Sequence, residues 1–398
     1  MVKVVRVTRR TIASVILVAL VAVLGAGAPR GAAAPDDERA WLAAGRIPGA
    51  GTPHRAMAER ALLDLRLLTR PDGAALASWR KEWRYVWPRD AAFAAVAFQA
   101  AEHPREAGLI LDFLARVQPA DGRWAARYRE DGSPVEDGRP PQGDAPGWPL
   151  WAAWLQHRAG PPDADRWRMV QRAADRLAGS LDRAGLPPPS SDYWERKPRT
   201  EQEPDLPTLG VAAPALLGLR SAAALARETG RPVPARRWQA AACRLAAAID
   251  RRFAPHGYPR SPVPGGRMDT SVTFLAPPYA PRDERVTAAV ERAARRLALP
   301  NGGVLPGERW AGDRKTAWTP EMGLFALAAA AGGQPAVAGA RLDWLSAHRT
   351  PQGSLPEKVD ARGRPRSVAP LGWTAALVVL TLAEAERPLP VPSARCAR

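Results

Sequence analysis

The sequence predicts an all-α protein, a single (α/α)6 barrel made of six helical hairpins. Two observations predict it. A helical repeat of apolar residues recurs along most of the 398-residue chain, and short and long connections alternate between the helices. Short connections place consecutive helices antiparallel. If the chain runs alternately up and down, all six long connections lie at one end of a ring of hairpins.

The individual helices are predicted from apolar residues at positions i, i+3, i+4 and i+7, as at Ile110, Phe113, Leu114 and Val117. Proline stands near several starts, such as Pro104, where its missing N–H costs no helical hydrogen bond. The pattern predicts twelve helices, over residues 54–69, 90–101, 104–117, 146–158, 164–183, 206–229, 233–252, 268–276, 282–298, 317–331, 333–348 and 367–386.

The long connections follow every second helix and are predicted over residues 70–89, 118–145, 184–205, 253–267, 299–316 and 349–366. Long irregular loops in a compact domain usually carry function. No linker interrupts residues 54–386, so we expect one domain there, with residues 35–53 and 387–398 as tails.

The N-terminus has the layout of a secretory signal peptide. Basic residues are followed by an apolar run over residues 11–24, and small residues end at Ala34. The run is short for a membrane span. Residues 1–34 therefore predict a secreted protein, with an uncleaved membrane anchor as the alternative.

Composition narrows the classes of function. The chain is 46% hydrophobic and 24% charged, which excludes a disordered chain. The two cysteines, Cys243 and Cys396, lie far apart, which excludes a disulfide scaffold and a cysteine metal site and leaves their pairing open. The five histidines are scattered without ligand spacing. The net charge is +17, but the arginines alternate with acidic residues along the predicted helices, a pattern typical of a solvated face. We therefore expect no nucleic-acid partner.

Aromatic and charged residues are concentrated in the predicted long loops. Tryptophan is unusually frequent, with 15 copies against 6 phenylalanines and 5 tyrosines. The apolar faces of a pyranose ring pack on aromatic rings, while its hydroxyl groups hydrogen-bond charged and amide side chains. Two carboxyl groups on opposite sides of a bond are the minimum for glycoside hydrolysis. The loops therefore predict a sugar site.

Four motifs, one per loop, resemble those of the catalytic domain of glycoside hydrolase family 15, the glucoamylase and glucodextranase family. They occur in the family's order: YVWPRD at 85–90, DYWE at 192–195, RW at 309–310, and GSLPE at 353–357 followed by PLGW at 370–373. The resemblance covers roughly residues 54–386. The family's fold is an (α/α)6 barrel, in agreement with the hairpins counted above.

The resemblance implies roles for the residues that match these motifs. Glu195 would be the general acid and Glu357 the general base, while Arg89 and Asp90 would hold the sugar at the non-reducing end. Arg196 and Lys197 follow the acid, where many glucoamylases have a second acidic residue. Further substrate contacts are expected from Tyr85, Trp87, Trp124, Trp194, Arg309 and Trp310.

The function expected from the sequence is that of an exported, inverting, exo-acting glycoside hydrolase that releases terminal α-linked glucose from oligo- or polysaccharides. One alternative is the same fold acting on another α-linkage, in trehalose or an α-1,6 glucan. The other is a carbohydrate-binding protein on an inactive hydrolase barrel. No metal, organic cofactor or protein partner is implied.

Overall fold

The computed structural model describes residues 35–195, 206–392 and Cys396. The predicted signal segment lies outside the described residues, as do Arg196 and Lys197. The chain divides into a short unit that ends at Trp41 and a large unit that begins at Leu42.

The predicted helices are present, with one change of type. In the described residues the α-helices are α1 (Pro35–Ala43), α2 (Arg55–Leu68), α3 (Pro88–Ala100), α4 (Pro104–Val117), α5 (Gly147–Gln156), α6 (Ala164–Ser180), α7 (Leu209–Glu228), α8 (Pro232–Arg252), α9 (Glu284–Leu297), α10 (Thr319–Ala331), α11 (Pro335–Ala347) and α12 (Gly372–Glu386). The segment predicted as a helix over residues 268–276 is a 3₁₀ helix, Thr270–Leu275. Helix α1 lies in the segment for which a tail was predicted.

Six elements form a closed inner ring. Around it, α3 packs on α5, α5 on α7, α7 on the 3₁₀ helix Thr270–Leu275, that helix on α10, α10 on α12, and α12 back on α3. The remaining helices from α2 onward lie outside this ring, each against an inner element. This is the (α/α)6 barrel that the hairpin pattern predicted.

Burial explains which helices are inner and which outer. In α3, α5 and α12 nearly every residue is buried, whereas α6 and α9 bury a single stripe. A helix buried on all sides carries small or apolar residues all round, and an outer helix needs a polar face. Of the described helices, only α7 is long and apolar enough to cross a membrane, and 94% of that stretch is buried in the fold.

An aromatic cluster fills the middle of the ring. Phe93 on α3 lies 4.9 Å from Trp148 and 5.5 Å from Trp151 between ring centroids, and Tyr279 lies 5.4 Å from Trp151. Offset and edge-on aromatic contacts of this kind add to the free energy gained from burial alone. All four rings are buried, so they pack between elements of the inner ring.

The long loops are tied together at one end of the barrel. Strand β1 (Ala317–Trp318) pairs antiparallel with β2 (Lys358–Val359), and β2 pairs antiparallel with β3 (Pro365–Arg366), which joins the fifth and sixth loops. Single bridges join other loops, including Val86 to Tyr128 and Asp269 to Gly307. The inner elements begin where these loops end, so their N-termini face this end.

A disulfide joins Cys243 on α8 to Cys396, with 5.6 Å between the Cα atoms. The two residues are 153 positions apart in the chain. Sequence spacing left their pairing open, because closure depends on the path of the chain after α12. The bond fixes the end of the described chain to an outer helix.

Candidate active site

A cavity of about 330 Å³ opens at the loop end of the barrel. Five of the six long loops line it, together with the first turns of α3, α10 and α12. Seven of the residues predicted for the site line this cavity: Trp87, Arg89, Asp90, Trp194, Glu195, Trp310 and Glu357. The structure thus brings both predicted catalytic glutamates to one cavity.

Arg89 anchors a buried polar network in the cavity wall. Its guanidinium group donates through Nε to Asp90 at 3.0 Å and through Nη1 to Gln142 at 3.0 Å and to Asp144 at 3.4 Å. The guanidinium carbon also lies 4.6 Å from the ring centroid of Trp373. These contacts fix the planar group, so that the Arg89–Asp90 pair presents a preformed polar surface to a ligand.

The charges in this network depend on burial. Burial acts to lower the pKa of Arg89. The three nearby carboxylates outweigh that effect and raise this pKa above its ordinary value; they belong to Asp90, Asp144 and Glu195. Burial raises the pKa of Asp90 against the opposing effect of Arg89. Burial also raises the pKa of Asp144, to about 6. Asp90 does not cap its helix, because Trp87 occupies the N-cap position of α3.

Glu195, the predicted acid, stands at the end of the third loop's described part. Its carboxylate accepts a hydrogen bond from Trp87 Nε1 and pairs with Arg139 of the second loop. Its backbone has φ of 55°, a left-handed conformation that is uncommon for a side chain other than glycine. Strained backbone of this kind is found at functional sites, where surrounding contacts hold it.

Glu357, the predicted base, is 6% exposed and lies on the sixth loop. Its Oε2 accepts from Ser367 Oγ and lies 3.5 Å from Lys358 Nζ. Backbone hydrogen bonds to Val368 and Thr319 fix the main chain on both sides of it. Ser367 itself has a φ of 66°. The main chain of Glu357 is therefore held by the sixth loop and by Thr319, the first residue of α10.

A row of tryptophan rings forms another wall of the cavity. Trp194 lies edge-on to Trp310 at 5.4 Å, and Trp310 lies edge-on to Trp318 at 5.0 Å between centroids. Lys358 Nζ sits 4.1 Å from the centroid of Trp318. Such rings offer flat apolar surfaces for the C–H faces of a sugar.

The fourth loop contributes Arg260 to a buried ion cluster, and sequence reasoning proposed neither Arg260 nor Asp269 for the site. Arg260 lies 2.8 Å from Asp192 and 2.8 Å from Asp269, and its guanidinium carbon is 3.9 Å from the centroid of Trp194. The contacts orient Trp194, which directly precedes Glu195, the predicted acid. The available signal was weak, since an isolated arginine and aspartate mark no motif.

Glu321 is another residue that the sequence analysis missed. It lies in the first turn of α10, lines the cavity, and is only 3% exposed. Burial raises its pKa to about 8, with Asp269, Glu357 and Asp192 adding to the shift and Arg89 opposing it. The signal available was a single glutamate at the start of an otherwise apolar helix.

Three predicted substrate contacts lie elsewhere. Trp124 is 1% exposed and donates to the carbonyl oxygen of Leu114, so it belongs to the core and not to the cavity wall. Tyr85 lies behind Trp87, with ring centroids 6.2 Å apart. Arg309 is exposed and borders a small neighbouring hollow with Trp194 and Arg260.

The positive ends of inner helices point toward this cavity. Asp90 and Glu321 occupy the first turns of α3 and α10, where the helix dipole favours negative charge. Within residues 35–195, 206–392 and 396, no three His, Cys, Asp or Glu side chains are grouped so as to hold a metal ion.

Solved structures with the same fold are sugar hydrolases. A glycosidase in complex with glucose matches at a TM-score of 0.68 and 21% identity, over 84% of this chain and 97% of that one. A bacterial glucoamylase complexed with acarbose matches at a TM-score of 0.68 and 18% identity, over 88% of this chain and 58% of that one. The glucoamylase of Saccharomycopsis fibuligera matches at a TM-score of 0.70 and 12% identity, over 88% of this chain and 96% of that one. These likenesses establish the six-hairpin glycosidase fold.

Sequence comparison reaches less of the chain. A stretch of 130 residues, 31% of this chain, is 28% identical to an uncharacterised glycosyl hydrolase of Methanocaldococcus jannaschii. The matched stretch spans 20% of that relative's length. No family model matches the sequence.

Proposed function

We propose that this protein is an exported, inverting, exo-acting glycoside hydrolase of the glucoamylase type. The observation that carries the proposal is the meeting of Glu195 and Glu357, from the third and sixth loops, in one cavity whose wall holds the Arg89–Asp90 pair. Two carboxyl groups and a preformed sugar-binding surface are what hydrolysis of a glycosidic bond requires. Solved glycosidases of the same fold, one of them in complex with glucose, support the assignment.

In this mechanism Glu195 protonates the glycosidic oxygen as the bond to the leaving group breaks. Glu357 removes a proton from a water molecule that attacks the anomeric carbon from the opposite face, so the configuration is inverted. Inversion needs the two carboxyl groups about 6.5–9.5 Å apart, to leave room for that water. Arg89 and Asp90 hold the hydroxyl groups of the terminal sugar.

The choice of Glu357 over its neighbour Asp360 follows from their partners. Asp360 accepts hydrogen bonds at 3.0 Å from both Arg364 and Arg366 and does not line the cavity. The backbone hydrogen bond from Arg364 holds the pKa of Asp360 well below its ordinary range. A carboxylate so engaged is a poor base.

Export is proposed from the basic and apolar pattern of residues 1–34. The disulfide between Cys243 and Cys396 supports it, because such bonds persist in oxidising compartments.

The test is incubation of the full-length protein with maltooligosaccharides, dextran and trehalose, with free glucose measured over time. We expect glucose from maltooligosaccharides, with the β-anomer seen first by proton NMR. Glu357→Gln should abolish the release, and the matched variant Asp360→Asn should keep it. Sugar binding without hydrolysis of any of the three would instead define a carbohydrate-binding protein.

A further inference from the structure

The wall of the cavity contains a carboxyl group that neither catalytic role uses. Glu321 Oε2 is buried and has no hydrogen-bond partner among the described residues. The side chain is 97% buried yet borders the cavity. A buried polar atom without a partner loses its hydration and gains nothing in return, so native structures rarely keep one.

A second polar atom in the cavity wall also has no hydrogen-bond partner among the residues described. Trp373 Nε1, on the first turn of α12, is buried, borders the cavity, and has no partner within the described part of the chain. The first turns of α10 and α12 are held together by a 2.8 Å hydrogen bond between Thr319 and Thr374. Within the described chain, an unpaired carboxyl oxygen of Glu321 and an unpaired indole N–H of Trp373 therefore lie in the first turns of two packed helices that line one cavity.

We propose that Glu321 is a third carboxyl group of the sugar site, which donates a hydrogen bond to a hydroxyl group of the bound sugar. The proposal deepens the proposed function and rests on it. A protonated carboxyl offers one O–H donor and retains acceptor capacity, which matches a hydroxyl group in both respects. The sugar would supply the partner that the protein alone does not.

The charged groups around Glu321 support a neutral state. Burial raises its pKa to about 8, and Asp269, Glu357 and Asp192 favour the same protonated form, whereas Arg89 and the N-terminal dipole of α10 oppose it. Helix α12 packs against α10, and its residues 372–381 include no charged side chain. On α11, Arg341 packs over Phe325 of α10, 5.1 Å from the ring centroid. At neutral pH the side chain therefore holds a proton to donate.

Two variants separate the proposed contact from a structural role. Glu321→Met keeps the length of the side chain and removes its polar atoms, whereas Glu321→Gln keeps one donor and one acceptor at every pH. Glu384→Met is the matched control, because Glu384 is also a buried glutamate but lies near the far end of α12. Binding of glucose and maltose is followed by tryptophan fluorescence, and Tm by calorimetry.

At pH 6 we expect Glu321→Met to bind both sugars about fivefold to tenfold more weakly than the wild type, the effect of losing one hydrogen bond between neutral groups. Its Tm should equal or exceed that of the wild type, because an unpartnered polar group has been removed. Glu321→Gln should bind within about threefold of the wild type, and Glu384→Met should bind equally. Wild-type affinity in Glu321→Met would overturn the proposal.

A pH series keeps the proposal testable even if Glu321→Met does not fold. Between pH 7 and 9.5 the wild type should lose affinity severalfold as Glu321 gives up its proton, while Glu321→Gln should keep its affinity. Identical pH dependence in the two proteins would overturn the proposal. If the wild type binds neither glucose nor maltose, the proposed function itself fails, an outcome distinct from failure at Glu321 alone.

Discussion

Trp87 donates a hydrogen bond from its indole Nε1 to the carboxylate of Glu195, so a residue of the first loop positions the proposed acid of the third. The two residues are 108 positions apart in the chain. Trp87 is the N-cap residue of α3, so this contact ties the carboxylate of Glu195, which stands on a loop, to the start of a helix. Several properties of the site can be tested from contacts of this kind.

Removal of the Trp87 donor should impair proton donation. Trp87→Phe keeps an aromatic ring in the wall but frees the Glu195 carboxylate to move. We expect kcat on maltooligosaccharides to fall about tenfold or more, the effect of losing one charge-assisted hydrogen bond, with little change in KM. The matched control is Trp154→Phe, which removes a tryptophan–glutamate hydrogen bond to Glu228 outside the cavity. A tenfold loss in the control would contradict the assignment.

The two proposed catalytic glutamates should respond differently to the leaving group of the substrate. A general acid matters most when the leaving group is poor, whereas a general base is needed whenever water attacks. Glu195→Gln should nearly abolish hydrolysis of maltooligosaccharides and keep much more activity on α-glucosyl fluoride. Glu357→Gln should be inactive on both. Steady-state kcat/KM on each substrate decides, and wild-type rates in Glu357→Gln would place the base elsewhere.

The Arg89–Asp90 pair should govern sugar binding. Asp90→Asn removes the charge of Asp90 but leaves Arg89 its contacts with Gln142 and Asp144, so the fold should survive. Charged hydrogen bonds contribute roughly 1.5–3 kcal/mol each, so kcat/KM should fall more than tenfold. Asp175→Asn, at an outer-helix contact with Trp238, should leave kinetics unchanged. Normal kinetics in Asp90→Asn would show that Asp90 does not bind substrate.

Stability should depend on pH through Glu321. Burial raises its pKa from 4.5 to about 8. The folded state therefore holds this proton more tightly than the unfolded chain, and the contribution to stability is complete below about pH 4.5 and lost as pH rises to about 8. Between pH 5 and 8, the free energy of unfolding should fall by more than about 2 kcal/mol relative to Glu321→Gln. Parallel urea-unfolding curves at both pH values would contradict this.

The disulfide should stabilise the fold without serving the reaction. Cys243→Ala combined with Cys396→Ser should lower the free energy of unfolding by about 2–4 kcal/mol, because the unfolded chain loses a constraint across a long loop. Activity at 25 °C should be unchanged, since neither cysteine borders the cavity. Urea denaturation of the oxidised, reduced and double-variant proteins measures the effect, and equal midpoints for all three would refute it.

Much of the fold could be predicted because helix periodicity is local. Each hairpin needs an outer helix with one apolar stripe and an inner helix with apolar residues all round, and both patterns can be counted in the sequence. The segment near Asp269 is an exception. Asp269 accepts from the backbone N–H of Ser271, and the six residues that follow form a 3₁₀ helix. Six residues are too few for apolar periodicity to distinguish a 3₁₀ helix from an α-helix.

The site was predictable where residues are adjacent in sequence and obscure where partners come from distant loops. Arg89 and Asp90 stand together, and Glu195 follows a tryptophan, so motifs reveal them. Trp124 also stands in a long loop, but its indole donates inward to Leu114, a direction that no sequence pattern encodes. Glu321 is the opposite case. It stands in a helix and not in a loop, and its place in the cavity wall is evident only from the folded structure.

The aromatic cluster at the centre of the barrel has a consequence for how a polymer could be handled. Trp373 borders the cavity and also lies 5.8 Å from Phe93, whose ring contacts Trp148 and Trp151 behind it. These rings are all buried, so the inner end of the cavity is a packed aromatic wall. Under the proposed function, a released sugar would leave through the mouth by which the chain end entered. The shortened polymer would have to withdraw first, so turnover would proceed by repeated encounters with chain ends and not by threading.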